Sequence, residues 1–110
     1  MENRQKVLNM IGLATKAGKT VSGEFSTEKA VKAEKAWLVI VSEEASDNTR
    51  KMFTNMCTYY HVPVCFFGKK EELGHSMGKE FRASLAITDE GFAKTLVKQM
   101  NVNGGSKYES

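Results

Sequence analysis

What the chain lacks narrows it first. Its 110 residues include only two cysteines, Cys57 and Cys65, too few for the disulfide framework of a small secreted domain. Residues 1–6 are polar and charged rather than an apolar leader, so we expect no secretory signal and a reduced, cytoplasmic protein. The longest apolar run, residues 36–41, falls far short of the roughly 20 residues needed to span a bilayer, which argues against a membrane partner. There is no GxxxxGK[ST] or GxGxxG phosphate loop and no serine in a nucleophile elbow, so neither a nucleotide cofactor nor covalent catalysis is expected. Internal repeats and an interdomain linker are missing too, and this length suits one compact domain.

What is present suits a folded, mildly basic domain. Hydrophobic residues make up 41% of the sequence, enough for a core. The net charge of +3 permits an acidic partner without demanding one. Helical spacing of Val7, Leu8, Ile11, Ala14 and Thr15 predicts a first helix over residues 3–17. It stops at Gly18, where a glycine suits a left-handed cap. Residues 20–22 read as a short edge strand and 24–34 as a second helix with Ala30, Val31 and Ala33 inward. On that helix Lys29, Lys32 and Lys35 recur every third residue, and the last two read as a solvated face.

The run WLVIV at 37–41 is the strongest strand signal, apolar on both faces like a central strand under helices. Ser46, Asp47 and Asn48 are good N-caps, so a third helix should begin near Thr49, with Met52, Phe53, Met56, Cys57 and Tyr60 as its core stripe. Pro63 ends it, because proline disfavours helical geometry in the residue before it. VCFF at 64–67 predicts a second buried strand, followed by a short helix over 69–77 that Gly78 stops. A charged loop at 79–82 leads to a third core strand at 84–88. Asp89 then caps a last helix whose Phe92, Leu96, Val97 and Met100 face the core. Residues 101–110 contain Gly-Gly and no periodicity, so they read as a disordered tail behind a domain of residues 1–100. Helices alternating with short buried strands place the protein in the α/β class, as a three-layer α/β/α sandwich.

Three places invite a test for chemistry. Cys57, His61 and Cys65 stand as C-x3-H-x3-C, with His75 a conceivable fourth ligand. Zinc sites prefer closer cysteine pairs, and the helix-to-strand break after His61 separates these side chains, so we expect no metal and two buried cysteines. Glu43 with Glu44, and Glu71 with Glu72, lack a partner acid or base and read as solvated charge. A small enzyme using Cys65 or His75 is left without a matching base.

Two stretches remain, residues 23–29 at the mouth of the second helix and residues 78–83 before the third core strand. Each carries cations and one phenylalanine, Phe25 or Phe81. Gly23 lets the backbone turn tightly where a helix presents free N–H groups to an anion. Lys16 and Lys19 bracket the stop of the first helix. Cations beside a ring suit RNA, since the ring stacks an unpaired base for ~1–3 kcal/mol. Burial is the competing fate of both rings, and the favoured one for Phe81.

The stretches AGKTVSGEFSTEKAVKAEKAWLVIVSEEAS and YYHVPVCFFGKKEELGHSMGKEFRASLAITDEGFAKTL are more specific. With Gly18-Lys19, Ser22-Gly23, Val62-Pro63, Glu72-Leu73-Gly74, Gly78 and Asp89-Glu90-Gly91 in this order, residues 3–100 resemble the kink-turn-binding ribosomal protein family, the seven-Ae/thirty-e group, and most closely its small bacterial members. The resemblance implies an α/β/α sandwich around a mixed four-stranded sheet, and binding to RNA kink-turns. In that family a loop entering helix two carries Gly-x-Asn-Glu-x-x-Lys. Its Asn and Glu read sheared G·A pairs, and its Lys supports phosphates or a guanine. Here Gly23 and Lys29 match, Glu24 takes the open position, and Phe25 and Ser26 stand where Asn-Glu would be. Glu24 could take over only if the loop were re-registered. The family's second contact, a loop that holds an extruded nucleotide, maps onto Gly78, Lys79, Glu80, Phe81, Arg82 and Ala83.

The leading expectation is therefore an RNA-binding accessory protein of translation or ribosome function, monomeric, without catalytic activity, metal, cofactor or DNA partner. RNA would meet Lys16, Lys19, Gly23, Glu24, Phe25, Ser26, Lys29, Lys79, Glu80, Phe81 and Arg82. The rival is a protein-interaction module of the same fold that has lost kink-turn recognition, a reading favoured by Phe25-Ser26.

Overall fold

Helices with one apolar stripe and inner strands with two apolar faces call for a sheet covered on both sides. The computed structural model describes residues 2–100, and the tail expected at 101–110 lies outside the described residues. Nine elements alternate along the described residues: α1 (Glu2–Lys16), β1 (Thr20–Ser22), α2 (Glu24–Lys32), β2 (Leu38–Val41), α3 (Asp47–Tyr60), β3 (Val64–Phe66), α4 (Lys70–Ser76), β4 (Ser84–Ile87) and α5 (Glu90–Met100). The strands form one mixed sheet in the order β1-β4-β2-β3. β4 runs antiparallel to both β1 and β2, and β3 is parallel to β2.

Alternation along each strand sorts the core into two halves. Leu38, Ile40, Leu85 and Ile87 point to one face, where α1 supplies Val7, Ile11 and Ala14, α4 supplies Leu73, and α5 supplies Ala93 and Leu96. Val39, Val41 and Ala86 point to the other, under Ala30 and Val31 of α2 and Phe53 and Cys57 of α3. The result is the expected α/β/α sandwich, with three helices on one face and two on the other.

Local chemistry explains where the elements stop. Gly18 takes φ 73°, and the Lys19 N–H reaches back to the Ala14 carbonyl at 2.9 Å, closing α1 with a left-handed cap. α2 ends at Lys32, short of the expected Glu34, because Glu34 itself turns left-handed at φ 60°. α3 begins two residues before Thr49, since Ser46 is the cap and its hydroxyl accepts from the Thr49 N–H at 3.2 Å. Asp89 caps α5 as expected, accepting from the Phe92 N–H at 3.0 Å.

The strand at VCFF departs from its expected burial. β3 is an edge strand, and all three of its residues are half-buried rather than buried. A continuous apolar run records two covered faces but not two paired edges. Here the outer rings are covered by cations: the Arg50 guanidinium lies 4.3 Å from the Phe66 ring centre and that of Arg4 lies 5.5 Å from the Phe67 ring centre.

Candidate nucleic-acid interface

The two stretches that carry cations and a ring are brought together by the β1–β4 pairing. Ser22 stands opposite Leu85, so the turn leaving β1 meets the loop entering β4. The Gly23 N–H donates to the Ser84 carbonyl at 2.9 Å. Gly23 has φ 92° and ψ 156°, a conformation essentially reserved for glycine. A Cβ at this position would meet nothing within 4 Å, so the requirement is conformational and the backbone faces open space. α2 starts at once, with no hydrogen bond from a side chain to cap it. Its first backbone bond runs from the Thr27 N–H to the Gly23 carbonyl at 2.9 Å. The N–H groups of Glu24, Phe25 and Ser26 therefore precede the helical ladder.

Residues 78–83 are held by several anchors. Gly78 turns the backbone at φ 75°, and the Lys79 N–H bonds the Gly74 carbonyl at 2.8 Å. A Cβ on Gly74 would lie 2.6 Å from both atoms of the Glu80 backbone carbonyl, so the loop rests directly on α4. The Arg82 N–H reaches the Lys70 carbonyl at 3.0 Å, and the Ala83 carbonyl accepts from the Ser42 N–H at 2.8 Å. Across the gap between the loops, Arg82 Nε donates to Ser22 Oγ at 2.8 Å.

On this joined face both rings point outward. Phe25 is 76% exposed and Phe81 59% exposed, which corrects the expectation that Phe81 packs under the domain: the backbone of its loop rests on Gly74, and the ring stays outside. Lys29 and Lys79 are exposed, Arg82 and Ser26 are half-buried, and Glu24 and Glu80 are exposed among them. Glu28 is occupied by Lys32 at 2.9 Å. The patch is mixed in charge rather than uniformly basic. Lys19 lies at the far end of β1, roughly 13 Å from Gly23 at the usual strand rise. Lys16 lines a groove of about 750 Å³ between α1 and α4 that reaches Gly78.

The other candidates separate. Cys57 packs on one face of the sheet and Cys65 against the other, and burial pushes both thiols up to about 12. Both stay protonated near neutrality, so the reading of Cys65 as a nucleophile loses its thiolate. His61 is an exposed left-handed cap at φ 60°, and His75 is exposed on α4. Among the described residues no group of three or more His, Cys, Asp or Glu could hold a metal, and no helix is long and apolar enough to cross a membrane. One carboxylate of each acidic pair is structural, Glu44 and Glu72. Glu44 accepts from the Lys70 N–H at 2.9 Å at the start of α4, while Glu72 accepts from the Lys69 N–H at 2.9 Å and from Arg4 Nε at 3.0 Å.

Sequence reasoning misses Ser22 and Gly74 in these roles. A glycine inside a seven-residue helix signals close backbone approach, whereas Ser22 carries no such mark because its partner lies 60 residues away.

A family model described as the ribosomal protein L7Ae/L30e/S12e/Gadd45 family matches residues 5–97. The chain belongs to this family. It is 42% identical over 92 residues to the RNA-binding protein YlxQ of Bacillus subtilis (strain 168), covering 84% of this chain and 92% of the relative. The RNA-binding protein YlxQ of Enterococcus faecium is also 42% identical over 92 residues, covering 84% of this chain and 88% of that one. Among solved structures, a protein of unknown function from Bacillus halodurans C superposes with a TM-score of 0.85 at 33% identity, over 87% of this chain and 97% of that one. The 15.5kD RNA binding protein of Giardia lamblia gives a TM-score of 0.78 at 22% identity over 92% of this chain and 89% of that one, a likeness of fold.

Proposed function

We propose that this protein binds folded RNA, as a cytoplasmic, monomeric accessory protein of translation or ribosome function, through the joined face of residues 23–29 and 78–83. One observation carries the reading: the Gly23–Ser84 and Arg82–Ser22 bonds join the start of α2 to the loop of residues 79–82, and each presents an exposed phenylalanine and an exposed lysine. Lysine neutralises phosphate, an open glycine lets a backbone approach, and an exposed ring stacks an unpaired base. Membership of a ribosomal protein family supports the choice of RNA over other polyanions.

Kink-turn recognition is the finer reading. Phe25 and Ser26 lack the directional contacts of an Asn-Glu pair, each of which supplies ~1–3 kcal/mol of discrimination by analogy with base-edge contacts in DNA. That same pair of residues favours a second reading, a protein-interaction module of this fold. A gel-shift titration with a kink-turn RNA and a version lacking its G·A pairs separates the two. Tighter binding to the intact kink-turn supports specific recognition, equal affinity removes it, and absence of binding to either favours the module. The double substitution Phe25→Asn, Ser26→Glu is expected to tighten kink-turn binding roughly fivefold or more; no gain means that the loop presents its side chains differently.

A further inference from the structure

The sequence places Arg82 among the phosphate contacts, yet inside the fold its guanidinium is already engaged. Nε donates to Ser22 Oγ at 2.8 Å, and Nη1 donates to the Phe81 carbonyl at 2.7 Å. Its backbone N–H is bonded to the Lys70 carbonyl at 3.0 Å. These partners lie in three segments: the end of β1, the loop itself and the first residue of α4. Arginine suits such a junction because its donors sit in a rigid plane with fixed directions. Gly23 bonds Ser84 where the β1–β4 ladder runs out. Beyond that point the Arg82–Ser22 bond ties residues 79–82 to the turn that carries Phe25.

We propose that Arg82 is a positioning residue: clasped to Ser22, it fixes the loop bearing Phe81 against the turn bearing Phe25, so that two exposed rings form one preorganised surface. The inference rests on the RNA-binding reading above and deepens it by naming a ligand class. Two rings held at a set separation select RNA with unpaired bases at a matching separation, recognised by stacking rather than by side chains that read base edges. Ordering the loops before the RNA arrives removes that cost from the binding step.

A direct phosphate contact by Arg82 makes a different prediction, because Ser22 is neutral. The test uses the full-length protein and a fluorescein-labelled RNA duplex interrupted by a three-nucleotide bulge, titrated at several salt concentrations, with amide hydrogen exchange on the free protein alongside. Ser22→Ala and Arg82→Lys are each expected to weaken binding roughly three- to tenfold, the net weight of one hydrogen bond. The slope of log K against log salt should stay that of the wild type, since neither change removes a charge. Ser22→Thr keeps the hydroxyl and should restore affinity, which guards against misfolding as the cause. Exchange at the amides of residues 79–82 should quicken in Ser22→Ala and Arg82→Lys and not in Ser22→Thr. As a control for the RNA reading, Lys29→Ala should lower both affinity and slope, the latter by about one.

If Ser22→Ala binds and exchanges like the wild type while Arg82→Ala lowers the salt slope, Arg82 is a phosphate contact and the clasp is overturned. If the wild type does not bind the probe, or Lys29→Ala leaves binding and slope unchanged, the RNA reading falls instead. The clasp then stands or falls on exchange alone, with unaltered exchange in Ser22→Ala overturning it.

Discussion

Two pairs of phenylalanines divide this molecule. Phe66 and Phe67 at the outer edge of the sheet are half-buried, each with an arginine guanidinium over its ring. Phe25 in the first turn of α2 and Phe81 in the loop joined to it are largely exposed, and among the described residues no guanidinium stands over either. The protein thus covers these rings at the sheet edge and leaves uncovered the two at the junction of α2 with the loop before β4. On the RNA-binding reading proposed above, the exposed rings beside cations form the face that RNA completes, whereas the covered rings at the edge belong to stability.

The sharpest way to break this comparison is to truncate one ring from each pair. Phe66→Ala should cost about 2–3 kcal/mol of stability, somewhat below the range for a fully buried ring, and leave RNA affinity unchanged. Phe25→Ala should shift stability by less than about 0.5 kcal/mol and lower RNA affinity by ~1–3 kcal/mol. Chemical denaturation and the gel-shift titration read the two effects; a reversed pattern would erase the distinction between the pairs.

Gly74→Ala probes the support beneath the loop. Its new methyl would lie 2.6 Å from backbone atoms of Glu80, and the backbone must move to admit it. Such overpacking costs about 1–3 kcal/mol, and the movement should carry Phe81 with it and weaken RNA binding. Thermal unfolding together with RNA titration checks both parts; unchanged RNA affinity would show that the placement of Phe81 does not matter.

The smallest effect belongs to acid. The hydrogen bond from Arg4, followed by that from the Lys69 N–H, holds the Glu72 carboxyl below the usual carboxylate range. The folded state therefore binds fewer protons at this group than the unfolded state does. The stability it contributes is present above the unfolded carboxylate pKa and is lost as pH falls through the depressed folded value. Because Arg4 also covers Phe67, acid should loosen the edge before it touches the loop face. Melting temperature followed from about pH 6 to pH 3 should decline less steeply for Glu72→Gln than for the wild type; parallel curves would remove Glu72 from the account.

Much of this architecture is legible in the sequence, for identifiable reasons. The core stripe of α3 and the apolar runs of β2 and β4 follow from periodicity. The caps at Gly18 and Asp89 follow from residue chemistry, whereas at α3 three adjacent capping residues leave open which one, Ser46, is used. β3 falls where the apolar run predicts it but at an edge rather than in the interior, because apolarity reports covered faces and is silent on which strand edge is paired. The site is legible in its parts and not in its assembly. Gly23, Lys29 and the two rings can be named from sequence, but the clasp between their loops depends on two residues 60 positions apart. The close seating of the loop before Phe81 depends on Gly74, which has no Cβ to push the Glu80 backbone away.

The outermost strands, β1 and β3, hold only three residues each. So brief a row of unpaired amides and carbonyls, with Arg4 and Arg50 flanking it on one side, offers a second molecule little to zip onto. The protein should stay dispersed when concentrated and resist the cross-strand stacking that seeds fibrils, a trait that light scattering on a concentrated sample would reveal.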